Sequence, residues 1–412
     1  MIPYTSMMVH QLKRALPQKH LVRLLWHRGK ALCAALWYGF PAQKLTIVGI
    51  TGTDGKTTTV GMLSHILQQT GIRHGALSTA FFTTGSQTHW NATQKTSPSP
   101  FTVQKFLRQC VKEKCTHALL ECSSHGLVQG RLNFTWPSVV AITNTSPEHL
   151  DYHGTFEQYQ KDKAILFHML KGKGTKVLNK DDASYPLLQH IPSTHTLEYS
   201  CNLTPYPCNL SLNIPGSFNI ENALCAIVCA KALGIDQSKA VEALHTFTGI
   251  PGRLEKIDEG QPFTVYVDFT VTPAAYTKTL NTVGEELPAE KRLLVLTGSC
   301  GDRMKEKRPQ IGKICSKLAD IVVVTNEDPY TEDPEKIIDD IWQTVDQNAC
   351  FAHRITDRRE AMQFLLQKAQ PGDVVLFCGK GSDTTMWTKD GQVPWNEREI
   401  VRELLRTMHH ER

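Results

Sequence analysis

Short apolar runs recur along this chain at intervals that suit a parallel β-sheet. Residues 46–50, 118–121, 139–144 and 176–178 are dominated by Leu, Ile, Val and Ala, and each is brief enough for a strand buried on both faces. Among them, residues 57–70, 158–170 and 219–234 carry helix-like patterns. The alternation resumes after Gly249-Ile-Pro-Gly-Arg253, with strand-like runs at 263–269, 293–298, 321–325 and 374–378 separated by helical stretches. Such alternation predicts an α/β fold built on parallel sheets. Three blocks are expected: a short basic segment over 1–45, a central domain over 46–248 and a second, Rossmann-like α/β domain over 249–412. Ligands in such sheets gather at the carboxyl ends of strands, so the loops that follow each apolar run are where chemistry is expected.

The loop after the first run reads Gly49-Ile-Thr-Gly-Thr-Asp-Gly-Lys-Thr-Thr-Thr59 and leads directly into an apolar helical stretch. A glycine-rich turn there aims backbone N–H groups at one spot, at the positive end of a helix dipole, where phosphate oxygens fit. Gly52, Thr53, Asp54, Gly55, Lys56, Thr57 and Thr58 are the candidate ATP-binding residues, with Lys56 reaching the outer phosphates and the Thr57 hydroxyl holding Mg²⁺. The central domain is therefore expected to be a P-loop-type ATPase domain. Ile50 occupies the position of the usual first glycine, which makes the loop a variant.

Composition changes this picture little, and charge changes it at one end. The 412 residues are 41% hydrophobic and 21% charged, ordinary values for a globular chain of two or three domains. No apolar run is long enough to cross a membrane and no signal peptide with a cleavage site is evident. The twelve cysteines contain no C-x-x-C pair, which suits buried thiols in a reducing cytoplasm better than a zinc site or a disulfide framework. A cytoplasmic monomer is expected. The net charge of +5 arises in residues 1–53, which hold seven Lys or Arg and no acid, against 38 basic and 40 acidic residues in the rest. Within that lead, residues 21–40 mix Leu, Trp26, Trp37, Tyr38 and Phe40 with Arg23, Arg28 and Lys30. Two readings stand: an amphipathic helix on an anionic membrane, or a helix packed on the next domain with its charges solvated. No nucleic-acid motif accompanies the charge, so nucleic acid is not an expected partner.

Further chemistry clusters behind the other runs. Glu121 ends one run, Glu148-His149-Leu150-Asp151 follows the next, and Lys163 lies early in the 158–170 helix. Glu121 is the natural Mg²⁺ ligand, since that ion prefers oxygen. Taken singly, Glu121 also suits a strand-end cap, His149 a core position and Lys163 a solvated helix face.

Together, six motifs in order resemble the Mur ligases, from about residue 45 to the C-terminus. They are Gly-Thr-Asp-Gly-Lys-Thr-Thr (52–58), Glu-Cys-Ser-Ser-His-Gly-Leu-Val-Gln-Gly-Arg (121–131), Thr-Asn-Thr-Ser-Pro-Glu-His-Leu-Asp-Tyr-His-Gly (143–154), Gly-Ser-Phe-Asn-Ile-Glu-Asn (216–222), Gly-Asp-Arg…Lys-Arg-Pro (301–309) and Gly-Lys-Gly (379–381). Ser-Ser-His-Gly-Leu and Leu-Asp-Tyr-His-Gly resemble the MurE type rather than folylpolyglutamate synthetase, which shares the fold. The resemblance implies an ATP-dependent ligase that adds an amino acid to a nucleotide-linked muramoyl peptide through an acyl phosphate, in cell-wall peptidoglycan synthesis. It implies catalytic roles for Lys56, Glu121, His149 and Lys163, with Thr57, Glu121, His149 and a carbamylated Lys163 at the metal. Asn219, Asn222, Arg253 and Asp268 would contact ATP. Thr96, Ser97, Ser123, Gln129 and Arg131 would hold the muramoyl peptide, and Asp328, Gly379 and Asp383 the incoming amino acid.

Four departures accompany the match. Only 48 residues precede Gly49, where the family has a uridine-binding domain, so 1–45 is expected to be a reduced or atypical substrate domain. Val271 replaces a histidine in Asp268-Phe-Thr-Val-Thr-Pro273. Glu327-Asp-Pro-Tyr330 replaces Asp-Asn-Pro-Arg, which argues against diaminopimelate and toward a cationic amine such as lysine. Gly379-Lys-Gly-Ser-Asp383 replaces Gly-Lys-Gly-His-Glu. Two alternatives follow: a relative acting on a non-UDP, lipid-linked acceptor, with membrane contact through 1–45, or an inactive nucleotide-binding partner subunit.

Overall fold

The computed structural model describes residues 20–91, 93, 95–202 and 210–410, so residues 1–19 of the expected basic lead lie outside the described residues. Two units emerge, one formed by residues 1–209 with Ala223–Ala243, the other by Leu210–Asn222 with 244–412.

The first unit begins with α1 (Leu21–Tyr38), which ends at Gly39 in the left-handed conformation, its N–H bonded to the Ala35 and Leu36 carbonyls. Its strands are β1 (Thr46–Thr51), β2 (His74–Leu77), β3 (Phe81–Thr84), β4 (Gln87–Trp90), β5 (His117–Glu121), β6 (Val139–Ile142), β7 (Thr175–Asn179) and β8 (His195–Tyr199). They form one sheet in the order β4-β3-β2-β5-β1-β6-β7-β8. The six from β2 to β8 run parallel, and β3 and β4 add an antiparallel edge. The helices are α2 (Lys56–Gln69), α3 (Pro100–Lys112), α4 (Ser124–Val128), α5 (Leu150–His153), α6 (Phe156–His168) and α7 (Tyr185–Leu188). α8 (Ser217–Ala232) runs from the second unit into the first, and α9 (Gln237–Leu244) follows. Ile47, Ala118, Leu120, Val140 and Ile142 point from alternate strand positions into a core with Val103, Phe106 and Leu107 of α3 and Leu166 and Phe167 of α6. The two readings of residues 21–40 meet here. α1 packs on α3 and buries only its small Ala31, Ala34 and Ala35, while Leu21, Leu25, Trp26, Leu36 and Trp37 are exposed.

The second unit carries β9 (Glu255–Ile257), β10 (Thr264–Asp268), β11 (Leu293–Thr297), β12 (Ile321–Val324), β13 (Phe351–Arg354) and β14 (Val374–Cys378) in the order β13-β12-β11-β14-β10-β9. Only β9 is antiparallel. A hairpin of β15 (Thr385–Thr388) and β16 (Gly391–Pro394) follows. Its helices are α10 (Pro273–Glu285), α11 (Lys307–Leu318), α12 (Pro334–Trp342), α13 (Arg358–Lys368) and α14 (Glu397–His410). The period of two is plain: Leu293 and Val295 enter the core under α10 to α12, Leu294 and Leu296 the core under α13 and α14. Both faces are covered, which is why these strands read as continuous apolar runs.

Strands β2, β3, β4, β8, β9, β13 and the β15–β16 hairpin carry no comparable run. β2 is His-Gly-Ala-Leu, poor in β-branched residues, while β4 and β13 are edge strands facing water.

Candidate active site

In the first unit, register brings the predicted residues together. Ile50 of β1 pairs with Glu121 of β5, and Thr51 with Ile142 of β6, so three strand ends open at one level. The glycine-rich loop leaves β1 there. Gly52 has φ 150°, and a Cβ on it would lie 1.8 Å from Thr143 Oγ1, so only glycine fits against the end of β6. The Thr53 N–H donates to the Asn144 carbonyl (2.8 Å), the Asp54 N–H to Asn144 Oδ1 (3.1 Å), and Thr143 Oγ1 to the Asp54 carbonyl (2.7 Å). The Thr53 hydroxyl lies 3.1 Å from Tyr159 Oη. These bonds fix the loop before any ligand arrives. Gly55, left-handed at φ 79°, starts α2 without a side-chain cap. The N-terminal amides of α2, at Lys56, Thr57 and Thr58, are the kind that phosphate oxygens take.

Lys56 Nζ folds back onto the Thr53 carbonyl at 2.6 Å. The Thr57 hydroxyl lies 3.1 Å from both oxygens of Glu121, which is buried. The Thr79 N–H donates to Glu121 Oε2 at 2.7 Å, and the Thr79 hydroxyl lies 2.9 Å from both Glu121 Oε1 and Thr96 Oγ1. Thr79 belongs to no quoted motif, and no sequence signal pointed to it.

The five residues expected to hold the muramoyl peptide form one network beside Glu121. Ser97 Oγ donates to the Glu121 carbonyl (3.2 Å) and accepts from the Ser123 N–H (2.9 Å). Ser123 caps α4 through the Gly126 N–H. Arg131 Nη1 donates to the Ser97 carbonyl (2.7 Å), and its Nε and Nη2 both reach Gln129 Oε1 (3.0 and 2.7 Å).

Lys163 is buried rather than on a solvated helix face. Its Nζ donates to the Gly52 carbonyl at 2.6 Å and lies 4.3 Å from the centre of the Tyr159 ring. Burial pushes its pKa well below the ordinary lysine value, and the Lys56 charge pushes the same way, against Asp54, Asp182 and Glu148. His149, at φ 55°, begins α5; its ring meets that of His125 at 4.8 Å, and its Nδ1 lies 3.9 Å from Glu148 Oε1. Next to it runs a buried relay unseen in the sequence: Ser124 Oγ lies 3.0 Å from His153 Nε2, and His153 Nδ1 2.6 Å from Asp162 Oδ2. It ties α4, α5 and α6 together. Among the described residues no three His, Cys, Asp or Glu side chains form a metal cluster. The Thr57 hydroxyl and Glu121 carboxylate are hard oxygen donors that fit Mg²⁺, an ion that completes its shell with water and phosphate oxygens.

In the second unit, Asp268 of β10 pairs with Cys378 of β14, so the Gly379-Lys380 loop starts level with it. Asp268 accepts from the Leu254 N–H at 2.6 Å and from the Thr270 hydroxyl, and burial raises its pKa against those bonds and Arg253. Arg253 lies over the Phe269 ring at 4.4 Å. Lys380, fully buried, donates to both oxygens of Asp328 (2.9 Å each), to the Thr385 carbonyl (2.8 Å) and to Asp383 Oδ2 (3.3 Å). Gly379 has φ 106°, a conformation that side chains rarely adopt, and a Cβ there would lie 2.3 Å from Glu327 Oε2. Where the resemblance expects arginine, Tyr330 stacks on Trp387 (5.5 Å, 19°), with the Arg303 guanidinium 5.2 Å from the Tyr330 ring centre. Beside Val271, Lys307 Nζ donates to the Val271 carbonyl at 3.1 Å. Asn219 and Asn222 are joined at the start of α8, where Asn222 Nδ2 donates to Asn219 Oδ1 (3.2 Å) and Asn219 Nδ2 to the Pro215 carbonyl (2.6 Å).

Comparison with known proteins gives the same frame. Residues 50–205 match the Mur ligase middle domain, and residues 252–381 match the Mur ligase, glutamate ligase domain. The UDP-N-acetylmuramyl-tripeptide synthetase of Roseiflexus sp. (strain RS-1) is 34% identical over 414 residues, covering 90% of this chain and 81% of that protein. The UDP-N-acetylmuramoyl-L-alanyl-D-glutamate--2,6-diaminopimelate ligase of Listeria monocytogenes serovar 1/2a is 34% identical over 400 residues, covering 90% and 80%. Among solved structures, a UDP-N-acetylmuramoyl-L-alanyl-D-glutamate--2,6-diaminopimelate ligase superposes with TM-score 0.59 at 29% identity, covering 89% of this chain and 79% of that one. A Mycobacterium tuberculosis folylpolyglutamate synthase shares the fold, with TM-score 0.66 at 15% identity, covering 92% and 94%.

Proposed function

Because this chain belongs to the Mur ligase family, we propose that it is an ATP-dependent ligase that joins an amino acid to a muramoyl peptide in peptidoglycan precursor synthesis. The observation that carries this reading is the Thr57–Glu121 contact, which sets a helix N-terminus, a hydroxyl and a buried carboxylate beside the Ser97–Ser123–Gln129–Arg131 network.

The chemistry follows from charge. A carboxylate is a poor electrophile, and its reaction with the γ-phosphate of ATP gives an acyl phosphate and ADP. The amine then attacks the acyl carbon, an amide forms, and phosphate and a proton leave. Lys56 and the α2 amides offset the negative charge that crowds as two anions meet. Thr57 and Glu121, with His149 and Lys163 as further ligands, would hold Mg²⁺, which would supply Lewis-acid neutralisation of the phosphate oxygens. Lys163 enters this reading as its carbamate, since a cation in a cation site opposes the metal. Arg131 and Ser123 orient the acceptor peptide. Asp328, Gly379 and Asp383 of the second unit shape the amino-acid site, while Tyr330, Trp387 and Arg303 select the side chain. The Arg303 guanidinium keeps a distal carboxylate, such as that of diaminopimelate, among the amines to be tested alongside lysine. We take the reaction to run in the cytoplasm, where ATP is made and thiols stay reduced.

The test is phosphate release from ATP and Mg²⁺ with UDP-N-acetylmuramoyl-Ala-Glu and a panel of amino acids including lysine and diaminopimelate, with products weighed by mass spectrometry. Release that requires both the acceptor and one amino acid, with a new amide product, is expected. ATP binding without turnover on any amine would remove the UDP-linked acceptor from the reading.

A further inference from the structure

Helix α1 turns its large apolar side chains away from the protein. At ~100° per residue, Leu21, Leu32, Leu25, Leu36, Gly29, Val22, Cys33, Trp26 and Trp37 fall in that order across one arc of roughly 160°. No polar residue interrupts the arc. All nine are exposed, Trp37 at 79% and Leu36 at 59%. The next positions on one side are Lys30 and Arg23, and on the other Arg28. The remaining face holds the buried Ala31, Ala34 and Ala35, which pack against α3. Core helices place small residues outside and large apolar ones inside, and α1 does the reverse.

Charge narrows the choice of occupant. α1 contains no Asp or Glu, and neither does α3 beneath it, which carries Lys105, Arg108 and Lys112 and an exposed Phe101. Lys30 Nζ lies 5.1 Å from the centre of the Trp26 ring, at the border between arc and flank. An apolar strip bordered by lysine, arginine and tryptophan suits the boundary between acyl chains and anionic headgroups. α1 is not long and apolar enough to span a bilayer, so it would lie in the surface. We propose that α1 docks this protein on an anionic membrane surface, with Leu21, Leu25, Trp26, Leu32, Leu36 and Trp37 inserted and Arg28 and Lys30 at the headgroups. The proposal is independent of the ligase reading, since none of these side chains belongs to the candidate active site.

The test is co-sedimentation of the full chain with vesicles of phosphatidylcholine alone or mixed with phosphatidylglycerol. Pelleting is expected with the anionic vesicles, weakening as salt is added. Arg28→Gln with Lys30→Gln should lower affinity about 25-fold, at about fivefold per charge. Leu25→Ser with Leu36→Ser should abolish pelleting while phosphate release in solution is unchanged. Trp37→Ser, at a site too exposed to affect folding, should weaken pelleting alone. The proposal falls if the full chain stays in the supernatant with anionic vesicles, or if these variants pellet as the parent does. A dimer in sedimentation velocity that Trp37→Ser dissociates would assign the face to a second copy instead. Vesicle binding that appears only after residues 1–19 are removed would assign it to that segment.

Discussion

Asp328 and Asp383 share one buried cation unequally. Lys380 lies 2.9 Å from both oxygens of Asp328 but 3.3 Å from Asp383. Burial, and repulsion from Asp328, push the Asp383 pKa up to about 6, while Lys380 is held charged by its two acids despite its burial. The sign follows. Protonated Asp383 contributes stability that is complete below its ordinary value of 3.8 and lost as pH rises through about 6. Asp383→Asn should flatten that dependence in urea titrations. If the carboxylate meets the incoming amine, KM for the amino acid should climb as pH falls through about 6 in the parent and not in the variant. At the phosphate end, Lys56→Ala should lower kcat roughly 10²–10³-fold by removing charge where it accumulates, with folding intact by circular dichroism. Lys163 offers a sharper comparison: Lys163→Glu, which builds in a carboxylate, should retain more turnover than Lys163→Met, as the carbamate reading requires.

Elements carry these residues only when their ends are held. The β1–α2 loop is clamped by Thr143 and Asn144 from the end of β6, and Gly52 is the point of closest approach. Gly52→Ala should therefore cost about 1–3 kcal/mol by overpacking and weaken ATP binding more than it weakens the fold. Nucleotide titration of the variant against its urea midpoint separates the two effects. In the second unit, Arg308 of the Lys-Arg-Pro motif serves structure. Fully buried, it donates to Glu332, Asp340 and the Cys300 carbonyl, tying α11 to the loop after β11 and to α12. Its bonds pull the Glu332 pKa down to about 2, so this stability is present above 4.5 and lost as pH falls through about 2. Arg308→Met should cost about 1–3 kcal/mol, because it removes the buried guanidinium's bonds while Lys305 still pairs with Glu332 and Asp340 stays partly in water; urea denaturation at neutral pH reads the loss.

Across the whole molecule, cores lie in both units, so a single unfolding free energy is not a well-defined quantity for this chain. Ligand effects are better read locally. A non-hydrolysable ATP analogue with Mg²⁺ at 100 times its Kd should stabilise the unit that binds it by about 2.7 kcal/mol. Hydrogen exchange should show this as added protection over residues 46–69, absent in Lys56→Ala. Charge is also distributed at this scale, with the excess of +5 traceable to residues 1–53 and the rest near neutral.

The sequence by itself determined the fold class, the positions of the main strands along the chain and the glycine-rich loop. Those depend on local periodicity and on backbone conformations that few residue types tolerate, and Gly52, Gly55 and Lys56 are legible from their neighbours in the chain. The six motifs likewise hold Thr57 and Glu121, which meet, and Ser123 and Arg131, which are joined through Ser97, a residue outside them. Edge strands such as β4 and β13 escaped because pairing, rather than apolar content, makes them strands. Tertiary structure alone decided what each charged or apolar side chain faces. Lys163 could have lain in water or in the core, and only the packing of α6 against the loop from β1 buries it at the Gly52 carbonyl. Thr79, the Ser124–His153–Asp162 relay and the Tyr330–Trp387 stack depend on contacts between residues distant in the chain, which no local pattern encodes. The direction of α1 was settled in the same way, because helical spacing defines two faces and only the α3 contact says which one is left exposed.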